Sequence, residues 1–527
     1  MKMKLEFTIE IQEKDGPTVI RGAEEFTPGE HRIVCKLPEG RIRSIKAVLP
    51  LSLSGDGKIF MNGYQTWTGC PEYTRRDKIR RCHLPRFINE KFGIDRYGDY
   101  FFVNYPEKAG LTHGESYCYF REGERYRLIG SLDERPGYTM FRYDANAELL
   151  TVSRDCENLL CGGEFHAFDL FYAEGGEDEV FERWFAAMGV KPRTEEKLAG
   201  YSSWYNRYQN IDESSILSDL SGCAPLLREG DLFQIDDGWQ QGVGDWDCND
   251  KFPNGLKPLV DEIHGKGLKA GLWLAPFGCQ KGARLMREHP DWLLQVEGQP
   301  WYCGCNWGGF YALDIDKPEV RDYLRRVFDR VLNQWGFDLV KLDFLYAAAP
   351  FGNERESRAG RMLRAMELLR ECCGEKLILG CGVPLMPAFG LVDYCRVSCD
   401  VSLDWDDKPY MRLIHRERVS TRQAILTSVF RRQLNGRAFL SDPDVFFLRE
   451  DNVKLTPQQK KLLADCCSLF GGMLLCSDDM AQYTPEALAQ YRQMLKNRQA
   501  ENIRVLADEG IRVRYLLEGQ EKELVIE

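Results

Sequence analysis

Two hydrophobic patterns divide the chain. From Leu5 to about Ala173, short runs alternate apolar and polar residues, and clusters of Gly, Asp, Pro and Glu separate them. Because successive side chains of a strand point to opposite faces, this pattern predicts an antiparallel β-sandwich. Its predicted strands include L-E-F-T-I-E-I, I-R-S-I-K-A-V-L-P-L-S-L-S, Y-F-F-V-N-Y, S-Y-C-Y-F-R, Y-R-L-I-G-S-L and Y-T-M-F-R-Y.

A second pattern begins after the Gly- and Pro-containing boundary at 189–193, where apolar runs alternate with longer amphipathic stretches. Repeated βα units of this kind predict a (β/α)8 barrel. The eight predicted strands are Ser202 to Asn206, Leu232 to Asp236, Ala270 to Ala275, Leu339 to Asp343, Leu377 to Cys381, Tyr394 to Ser398, Ala438 to Ser441 and Met473 to Cys476. The clearest helices are Glu319 to Asn333, Arg358 to Cys372, Arg416 to Arg431 and Pro457 to Phe470. An open doubly wound sheet is the alternative, but it would need a glycine-rich phosphate turn after its first strand, and the sequence has none.

These patterns predict a multidomain chain. We expect an N-terminal β-sandwich over 1–176, a helical linker over 177–199 with a helix at Val180 to Met188, the barrel over 200–499, and a small antiparallel β-domain over 500–527. Three short runs, at Ile503 to Ala507, Ile511 to Leu517 and Glu523 to Ile526, predict the strands of the last domain.

Composition narrows the classes of function. A formal net charge of −11 argues against a nucleic-acid surface, which rests on clustered Lys and Arg. No run of about 18 apolar residues predicts a membrane span, and the alternating N-terminus lacks the apolar core of a signal peptide. The nineteen cysteines are scattered, and we interpret them as free thiols of a cytoplasmic protein. Cys303-Gly304-Cys305 lacks a second ligand pair at zinc-site spacing, so no metal and no cofactor are expected.

The fourth predicted barrel strand carries two charges on one side. Lys341 and Asp343 interrupt the apolar run from Leu339 to Leu345. Because they lie two positions apart on a strand, their side chains point to the same face. Buried charges are costly unless they pair or meet a ligand. The two residues therefore predict either a structural ion pair or a nucleophile, Asp343, whose ionised form the lysine favours.

Other carboxylates follow other strands. Asp236-Asp237 end the second, Asp400 follows the sixth, and Ser441-Asp442-Pro443-Asp444 follow the seventh. Each is an ordinary turn sequence by itself, but the C-terminal ends of barrel strands meet at one face, where active sites lie. Tryptophans accompany these acids, at Trp204, Trp239, Trp246, Trp273 and Trp405. Aromatic faces and carboxylates together suit a sugar, although core packing accounts for some of the rings.

The motifs also carry a family resemblance. F-Q-I-D-D-G-W-Q from Phe233, G-D-W, G-L-W-L-A-P-F, Y-A-L-D-I-D-K-P-E-V, K-L-D-F-L-Y, L-G-C-G-V-P-L and C-R-V-S-C-D occur in the order found in the family 36 glycoside hydrolases. The chain resembles the α-galactosidases (melibiases) of that family in their compact form. The segment N-G-Y-Q-T-W from Asn62 resembles the sandwich-domain loop that reaches into the same pocket.

The resemblance implies a retaining, exo-acting α-galactosidase that acts by double displacement. Asp343 matches the nucleophile and Asp400 the acid/base. Asp236 and Asp237 match the residues that hold the 4- and 6-hydroxyls, and Lys341 matches a residue that donates a hydrogen bond to the sugar. The residues that match the family's pocket walls are Trp67, Trp204 and Trp273. Those that match residues near the 2-hydroxyl and the acid/base are Cys381 and Arg396. Self-association is implied too, although the sequence carries no interface signature.

Two local arguments and two departures complete the prediction. Asp400 lies between Cys399 and Val401, which predicts a less polar setting than that of Asp343 beside Lys341, and such a difference separates acid from nucleophile. Longer family members have an acid after the third-strand Trp-x-x-Pro and an arginine before the equivalent of Tyr311. This chain has Pro276-Phe277-Gly278 and Gly308-Gly309, which leaves the 2-position contacts open.

Alternatives therefore stay open. An α-N-acetylgalactosaminidase, a β-L-arabinopyranosidase or a related α-galactosyl transferase would use the same scaffold. A metal-dependent barrel hydrolase would use the same acids as ligands, but only seven histidines occur and none lies at a predicted strand end. A non-catalytic sugar-binding protein is the third hypothesis, against which the presence of both predicted catalytic aspartates argues.

Overall fold

The computed structural model describes residues 3–406, 414–507 and 510–526. The outermost residues of the predicted first and last domains, and positions 407–413 of the predicted barrel, lie outside this description.

One antiparallel sheet of eleven strands makes up the N-terminal part of the described chain. The 22-residue strand β3 is its centre, because it pairs with β1, β10 and β11. The sheet curls in a barrel-like way around a core of alternating apolar residues, as the period-two pattern predicts. Its strands are β1 (Met3–Glu13), β2 (Gly16–Phe26), β3 (Gly29–Pro50), β4 (Lys58–Met61), β5 (Glu72–Tyr73), β6 (Leu111–Glu115), β7 (Tyr117–Glu122), β8 (Arg125–Ser131), β9 (Tyr138–Asp144), β10 (Leu149–Asp155) and β11 (Leu160–Gly175).

The predicted strand Y-F-F-V-N-Y, residues 100–105, is wrong. The amides of Phe102 and Val103 both donate to the carbonyl of Asp99, which makes this segment a turn. Phe101 packs against the second domain, with its ring centroid 5.9 Å from that of Trp301, whereas Phe102 packs on Tyr64 of the N-terminal part. Part of this aromatic segment therefore forms a contact between domains.

A parallel, TIM-like sheet forms the central part. Neighbouring strands pair in parallel along the chain and the last pairs with the first, but the two segments of the seventh strand lie at opposite ends of this pairing order and do not pair with each other. The seventh strand is broken at Pro443, which lacks an amide to donate. The strands are β12 (Leu198–Ser202), β13 (Leu232–Ile235), β14 (Lys269–Leu274), β15 (Leu339–Leu342), β16 (Leu377–Gly380), β17 (Tyr394–Arg396), β18 (Leu440–Asp442), β19 (Val445–Phe446) and β20 (Met473–Cys476).

Helices alternate with these strands, and several begin at sequence signals typical of helix starts. Asp212 and Thr456 form capping boxes, and proline occupies the first turn of the helices at Pro318, Pro457 and Pro485. The helices of the described chain are α1 (Arg86–Phe92), α2 (Glu177–Met188), α3 (Trp204–Arg207), α4 (Glu213–Cys223), α5 (Lys257–Gly265), α6 (Arg284–Glu288), α7 (Pro318–Asp329), α8 (Arg358–Cys373), α9 (Thr421–Phe430), α10 (Pro457–Phe470) and α11 (Pro485–Asn497). A π-helical turn, Arg330–Gln334, extends α7, and short 3-10 turns lie at Ile94–Tyr97, Pro290–Trp292, Asn306–Gly308, Leu345–Ala348, Met386–Ala388, Arg432–Leu434 and Met480–Gln482.

Two predicted elements lie elsewhere than expected. The first barrel strand ends at Ser202, because the Ser203 amide still reaches the Gln234 carbonyl and the chain then turns into α3. The predicted helix from Arg416 begins only at Thr421, because the Ser420 side chain accepts from the Gln423 amide and fixes the helix start.

The C-terminal sheet is confirmed as three antiparallel strands, β21 (Glu501–Leu506), β22 (Ile511–Leu517) and β23 (Gln520–Ile526). Short pairs in the connections after β13 and β14 complete the strands, at Gln240–Gly242, Asp245–Cys248, Gly278–Gln280, Gln295–Val296, Gln299–Pro300, Tyr302–Gly304 and Phe310–Ala312. None of the described helices has the length and apolarity that crossing a membrane requires.

Candidate active site

A cavity of about 370 Å³ lies at the C-terminal ends of the parallel strands. Residues from six of the strand ends and from the N-terminal domain line it, as the barrel rule predicts. Nine of the ten predicted site residues reach its surface: Trp67, Trp204, Asp236, Asp237, Trp273, Lys341, Asp343, Arg396 and Asp400.

Asp236 and Asp237 end β13 and are held in different ways. Asp236 accepts from Lys341 Nζ at 2.9 Å and from Gln234 Nε2 at 2.9 Å, so its charge is balanced by an ammonium. Asp237 accepts from three neutral donors, the side chains of Gln209, Gln240 and Trp307, at 2.7, 2.6 and 2.8 Å. Burial raises the pKa of Asp237, and the three donors oppose that shift.

Asp343 lies at the end of β15 and does not bond to Lys341. Its carboxylate accepts from Trp273 Nε1 at 3.1 Å and from the Phe344 amide at 2.9 Å. Burial raises the pKa of Asp343, Lys341 lowers it through space, and Asp400 raises it. The alternative of a structural ion pair between Lys341 and Asp343 is therefore wrong, although the charge of the lysine acts on Asp343 in the expected direction.

Asp400 has the more solvated carboxylate of the two. Its side chain is 37% exposed and accepts from Arg396 Nη2 at 2.8 Å. The neighbours Cys399 and Val401 are buried, so their apolar character faces the core and not the carboxylate. The expected difference between the two acids exists, but Asp343 and not Asp400 occupies the less polar site.

Arg396 connects Asp400 to a second carboxylate that the site prediction did not include. Its Nη2 atom lies 2.8 Å from Asp400 and 3.1 Å from Asp444, and both carboxylates line the cavity. Asp442 lies behind them, with Oδ2 4.0 Å from Arg396 Nε, and burial raises the pKa of Asp442 to about 6. The motif Ser441-Asp442-Pro443-Asp444 was the available signal.

The N-terminal domain supplies one wall. Trp67 reaches the cavity and donates from Nε1 to Cys381 Sγ at 3.3 Å. Cys381 itself is 1% exposed and lies behind the wall, so it is the one predicted site residue that the structure does not bring to the cavity surface. Burial raises the pKa of this thiol, which favours its neutral form beside Asp343.

A buried arginine fixes the loop that carries Trp67. Arg431 donates to the backbone carbonyls of Gly63, Gln65 and Thr66, at 3.3, 3.1 and 2.7 Å, and to Val397 on the barrel side at 3.0 Å. The same guanidinium therefore joins the aromatic loop to the segment that leads to Asp400.

The tryptophans divide into wall and core. Trp204 and Trp273 face the cavity, whereas Trp239 and Trp246 are fully buried and belong to the core. The core interpretation of some of these rings is thus correct.

Sequence reasoning missed a further part of the lining. Trp307 has a left-handed backbone (φ 55°) next to Gly308 and Gly309, which allows its ring to turn back over Trp273 and Phe344. Asn306 binds the Tyr97 hydroxyl of the N-terminal domain. The remaining unpredicted lining residues are Ile94, Tyr97, Tyr205, Cys305, Phe344, Ile414, His415, Glu417, Arg418 and Val419. A tryptophan within a glycine-rich connection was a signal that could have been used.

The described residues contain no group of three or more His, Cys, Asp or Glu side chains arranged to hold a metal ion. What this arrangement can do chemically follows from its acids, since two carboxylates in different environments face one sugar-sized space.

Comparisons with known proteins agree with one another. The melibiase family model matches residues 195–365. Among characterised relatives, the α-galactosidase of Escherichia coli is 31% identical over 182 residues, which are 32% of this chain and 25% of that protein. The α-galactosidase AgaA of Geobacillus stearothermophilus is 32% identical over 159 residues, 29% of this chain and 21% of that protein. The match thus spans a quarter or less of these relatives.

Solved structures extend the similarity over almost the whole chain. TtGalA, an α-galactosidase from Thermus thermophilus solved with p-nitrophenyl α-D-galactopyranoside, aligns with a TM-score of 0.75 and 28% identity over 93% of this chain and 98% of that one. The family 36 α-galactosidase AgaA of Geobacillus stearothermophilus aligns with a TM-score of 0.60 and 14% identity over 96% of this chain and 80% of that one, a likeness of fold.

Proposed function

We propose that this chain, whose barrel carries a melibiase domain at residues 195–365, is a retaining exo-α-galactosidase that releases terminal α-linked galactose from oligosaccharides. The observation that carries the proposal is that Asp343 and Asp400, in unlike surroundings, line one cavity together with Asp236 and Asp237. TtGalA, which resembles the chain over almost its full length, has been solved with an aryl α-galactoside and with stachyose.

In the proposed mechanism Asp343 attacks the anomeric carbon and forms a β-linked glycosyl-enzyme, while Asp400 protonates the departing oxygen. Asp400 then takes a proton from water, which attacks the anomeric carbon and releases galactose with its configuration retained. The bonds that Asp343 accepts from Trp273 and the Phe344 amide orient its carboxylate for the attack.

The sugar would be held by the other lining residues. Asp236 and Asp237 bind the 4- and 6-hydroxyls in this proposal, and Lys341, bonded to Asp236, serves both that subsite and the charge of Asp343. Trp67, Trp204 and Trp273 form the walls. Arg396 holds Asp400, and Cys381 acts from behind the wall through Trp67 and Asp343.

An α-N-acetylgalactosaminidase or an α-galactosyl transferase is the second candidate. It is favoured by the departures from longer family members at Pro276-Phe277-Gly278 and Gly308-Gly309, which leave the contacts to the 2-position open. A panel of aryl α-glycosides that differ at the 2-substituent and at C6 separates these activities.

We also infer the finer architecture. The parallel pairing of β20 with both β12 and β19 supports a complete (β/α)8 barrel over 200–499, and the curled N-terminal sheet supports a β-sandwich over 1–176. The linker would occupy 177–199 and the last domain 500–527. Nineteen free cysteines suit a reducing cytoplasm, and self-association stays an expectation of the resemblance.

The test is hydrolysis of p-nitrophenyl α-D-galactopyranoside by Asp343→Ala. We expect loss of nearly all turnover, restoration by azide, a β-galactosyl azide product, and no effect of chelator on the parent enzyme. Asp338→Asn is the matched control, because Asp338 precedes the same strand at its opposite end and bonds His264 there. Full activity of Asp343→Ala, or activity that chelator abolishes and a divalent metal restores, would remove the proposal.

A further inference from the structure

Asp444 is a cavity-lining carboxylate to which the proposed mechanism gives no part. It is 4% exposed, and its backbone has a left-handed conformation (φ 78°) after Pro443, a strained arrangement for a residue with a side chain. The Asp444 amide donates to Asp442 Oδ1 at 2.9 Å, which fixes this turn.

The turn delivers Oδ2 of Asp444 to three donors. It accepts from the Tyr205 hydroxyl at 2.9 Å, from the Val401 amide at 2.8 Å and from Arg396 Nη2 at 3.1 Å. The Val401 bond anchors the residue that directly follows Asp400, and the Arg396 bond uses the same nitrogen that holds Asp400. Asp444 thus contacts both the residue that follows Asp400 and the arginine that holds the Asp400 carboxylate.

One guanidinium nitrogen is therefore shared between two carboxylates. We propose that Asp444 is a positioning residue for Asp400, because by drawing on the Arg396 guanidinium it limits how strongly that cation stabilises ionised Asp400. The inference rests on the proposed function of Asp400 as the proton donor.

The charges around Arg396 support this competition between Asp400 and Asp444 for its guanidinium. Arg396 and Lys341 supply two cations, whereas Asp236, Asp343, Asp400, Asp442 and Asp444 supply five carboxyl groups close to them. Burial raises the pKa of Asp444, Arg396 opposes the shift, and Asp400 adds to it. Hydroxyls and thiols also face the cluster, and burial raises the pKa of each and favours its neutral form. They belong to Tyr205, Tyr208, Cys381, Cys395, Cys399 and Cys467.

An acid catalyst must hold a proton in the free enzyme, and an arginine bonded to it alone would favour its loss. A second carboxylate on the same arginine reverses that tendency, both by competing for the cation and by direct repulsion. Neutralising Asp444 should leave Arg396 to Asp400, which would then release its proton at lower pH.

The experiment compares Asp444→Asn with the matched control Asp442→Asn, a neighbouring buried carboxylate 4.0 Å from the same arginine that does not line the cavity. The measured quantity is kcat/KM against pH, for p-nitrophenyl α-galactoside and for a galactosyl-glucose disaccharide whose leaving group needs a proton. We expect the basic limb of Asp444→Asn to move down by about one pH unit, a tenfold change in proton affinity. The loss at pH 8 should be larger for the disaccharide, and the limb of Asp442→Asn should move by less than a third as much.

An unmoved basic limb, or an equal loss with both substrates at every pH, would overturn the inference. Tyr205→Phe gives a second route if Asp444→Asn does not fold, because it removes a hydrogen bond that stabilises the ionised form of Asp444. It should move the basic limb in the same direction by a smaller amount.

A readout without turnover separates this inference from the proposed function. The Asp400 carboxyl can be titrated by ¹³C NMR of aspartate-labelled protein, assigned by its absence from Asp400→Asn. A downward shift of that titration in Asp444→Asn supports the inference even if the parent hydrolyses no α-galactoside, and an unchanged titration contradicts it even if the parent is fully active.

Discussion

Lys341 donates to Asp236 at 2.9 Å, although Asp343 lies two positions away on its own strand. The ammonium reaches across β14 to the end of β13, and attraction to both Asp236 and Asp343 more than offsets the effect of burial, so the pKa of Lys341 is raised. One cation thus serves a residue that would bind hydroxyls and a residue that would attack the sugar, which couples binding to catalysis through charge.

Replacing Lys341 with methionine should raise the pKa of Asp343 further, because the cation that lowers it is gone. The nucleophile works above its pKa, so the acid limb of kcat/KM should move to higher pH by about one unit or more. Lys341→Arg keeps the charge and should show a smaller shift. An acid limb identical in the methionine variant and the parent would contradict this coupling.

Trp307→Phe should weaken galactose binding by removing one of the three donors to Asp237 while retaining the aromatic ring. We expect about tenfold lower kcat/KM for an aryl α-galactoside, the cost of one hydrogen bond to a charged group. Kinetics with the corresponding β-L-arabinopyranoside, which lacks the C6 hydroxymethyl, provide the comparison. Equal losses on both substrates would assign the effect to the wall and not to the 6-hydroxyl subsite.

Arg431→Met should destabilise the protein and release the aromatic loop, because it leaves the carbonyls of Gly63 and Thr66 buried without this donor and removes one of two donors to the Gln65 carbonyl. We expect a loss of about 3–5 kcal/mol in the free energy of unfolding, because each buried acceptor left without its donor costs about 1–3 kcal/mol. Thermal denaturation measures it, with Arg437→Met as control. Arg437 pairs with exposed Asp178 and Glu182, so its removal should cost about 1 kcal/mol or less.

Glu134 should make stability fall as pH rises. Burial raises the pKa of Glu134 to about 7, well above its value in an unfolded chain. The folded state therefore binds a proton that the unfolded state releases, so the stabilisation is complete below about pH 4 and is lost by about pH 7, up to about 3 kcal/mol. Glu134→Gln should remove that decline. Denaturation at pH 5 and pH 8 measures it, and an equal change in the free energy of unfolding between these pH values in parent and variant would contradict the prediction.

How far the sequence alone could reach is clearest in the parallel, TIM-like sheet. Apolar runs at regular spacing predicted its strands to within a few residues. Parallel strands bring their C-terminal ends to one face, so Asp236, Asp343 and Asp400 could be placed at one site without coordinates. The short alternating runs of the first domain were likewise informative, because side-chain period depends on the local backbone alone.

Aromatic segments misled where their partners came from another domain. Residues 100–105 have the composition of a strand, but Phe101 packs against Trp301 and the backbone turns on Asp99. The glycines beside Trp307 indicated an unusual connection but not its partner, since the bond from Trp307 to Asp237 joins residues 70 positions apart.

The sequence by itself therefore determined the order of strands and helices and which acids share a rim, because both follow from local periodicity and from the direction of parallel strands. Only the tertiary structure decided that Lys341 bonds Asp236, that Asp343 is more buried than Asp400, and that Asp444 shares Arg396. Those relationships depend on distances across neighbouring strands and on how much water the surrounding atoms exclude, and no spacing along the chain encodes either quantity.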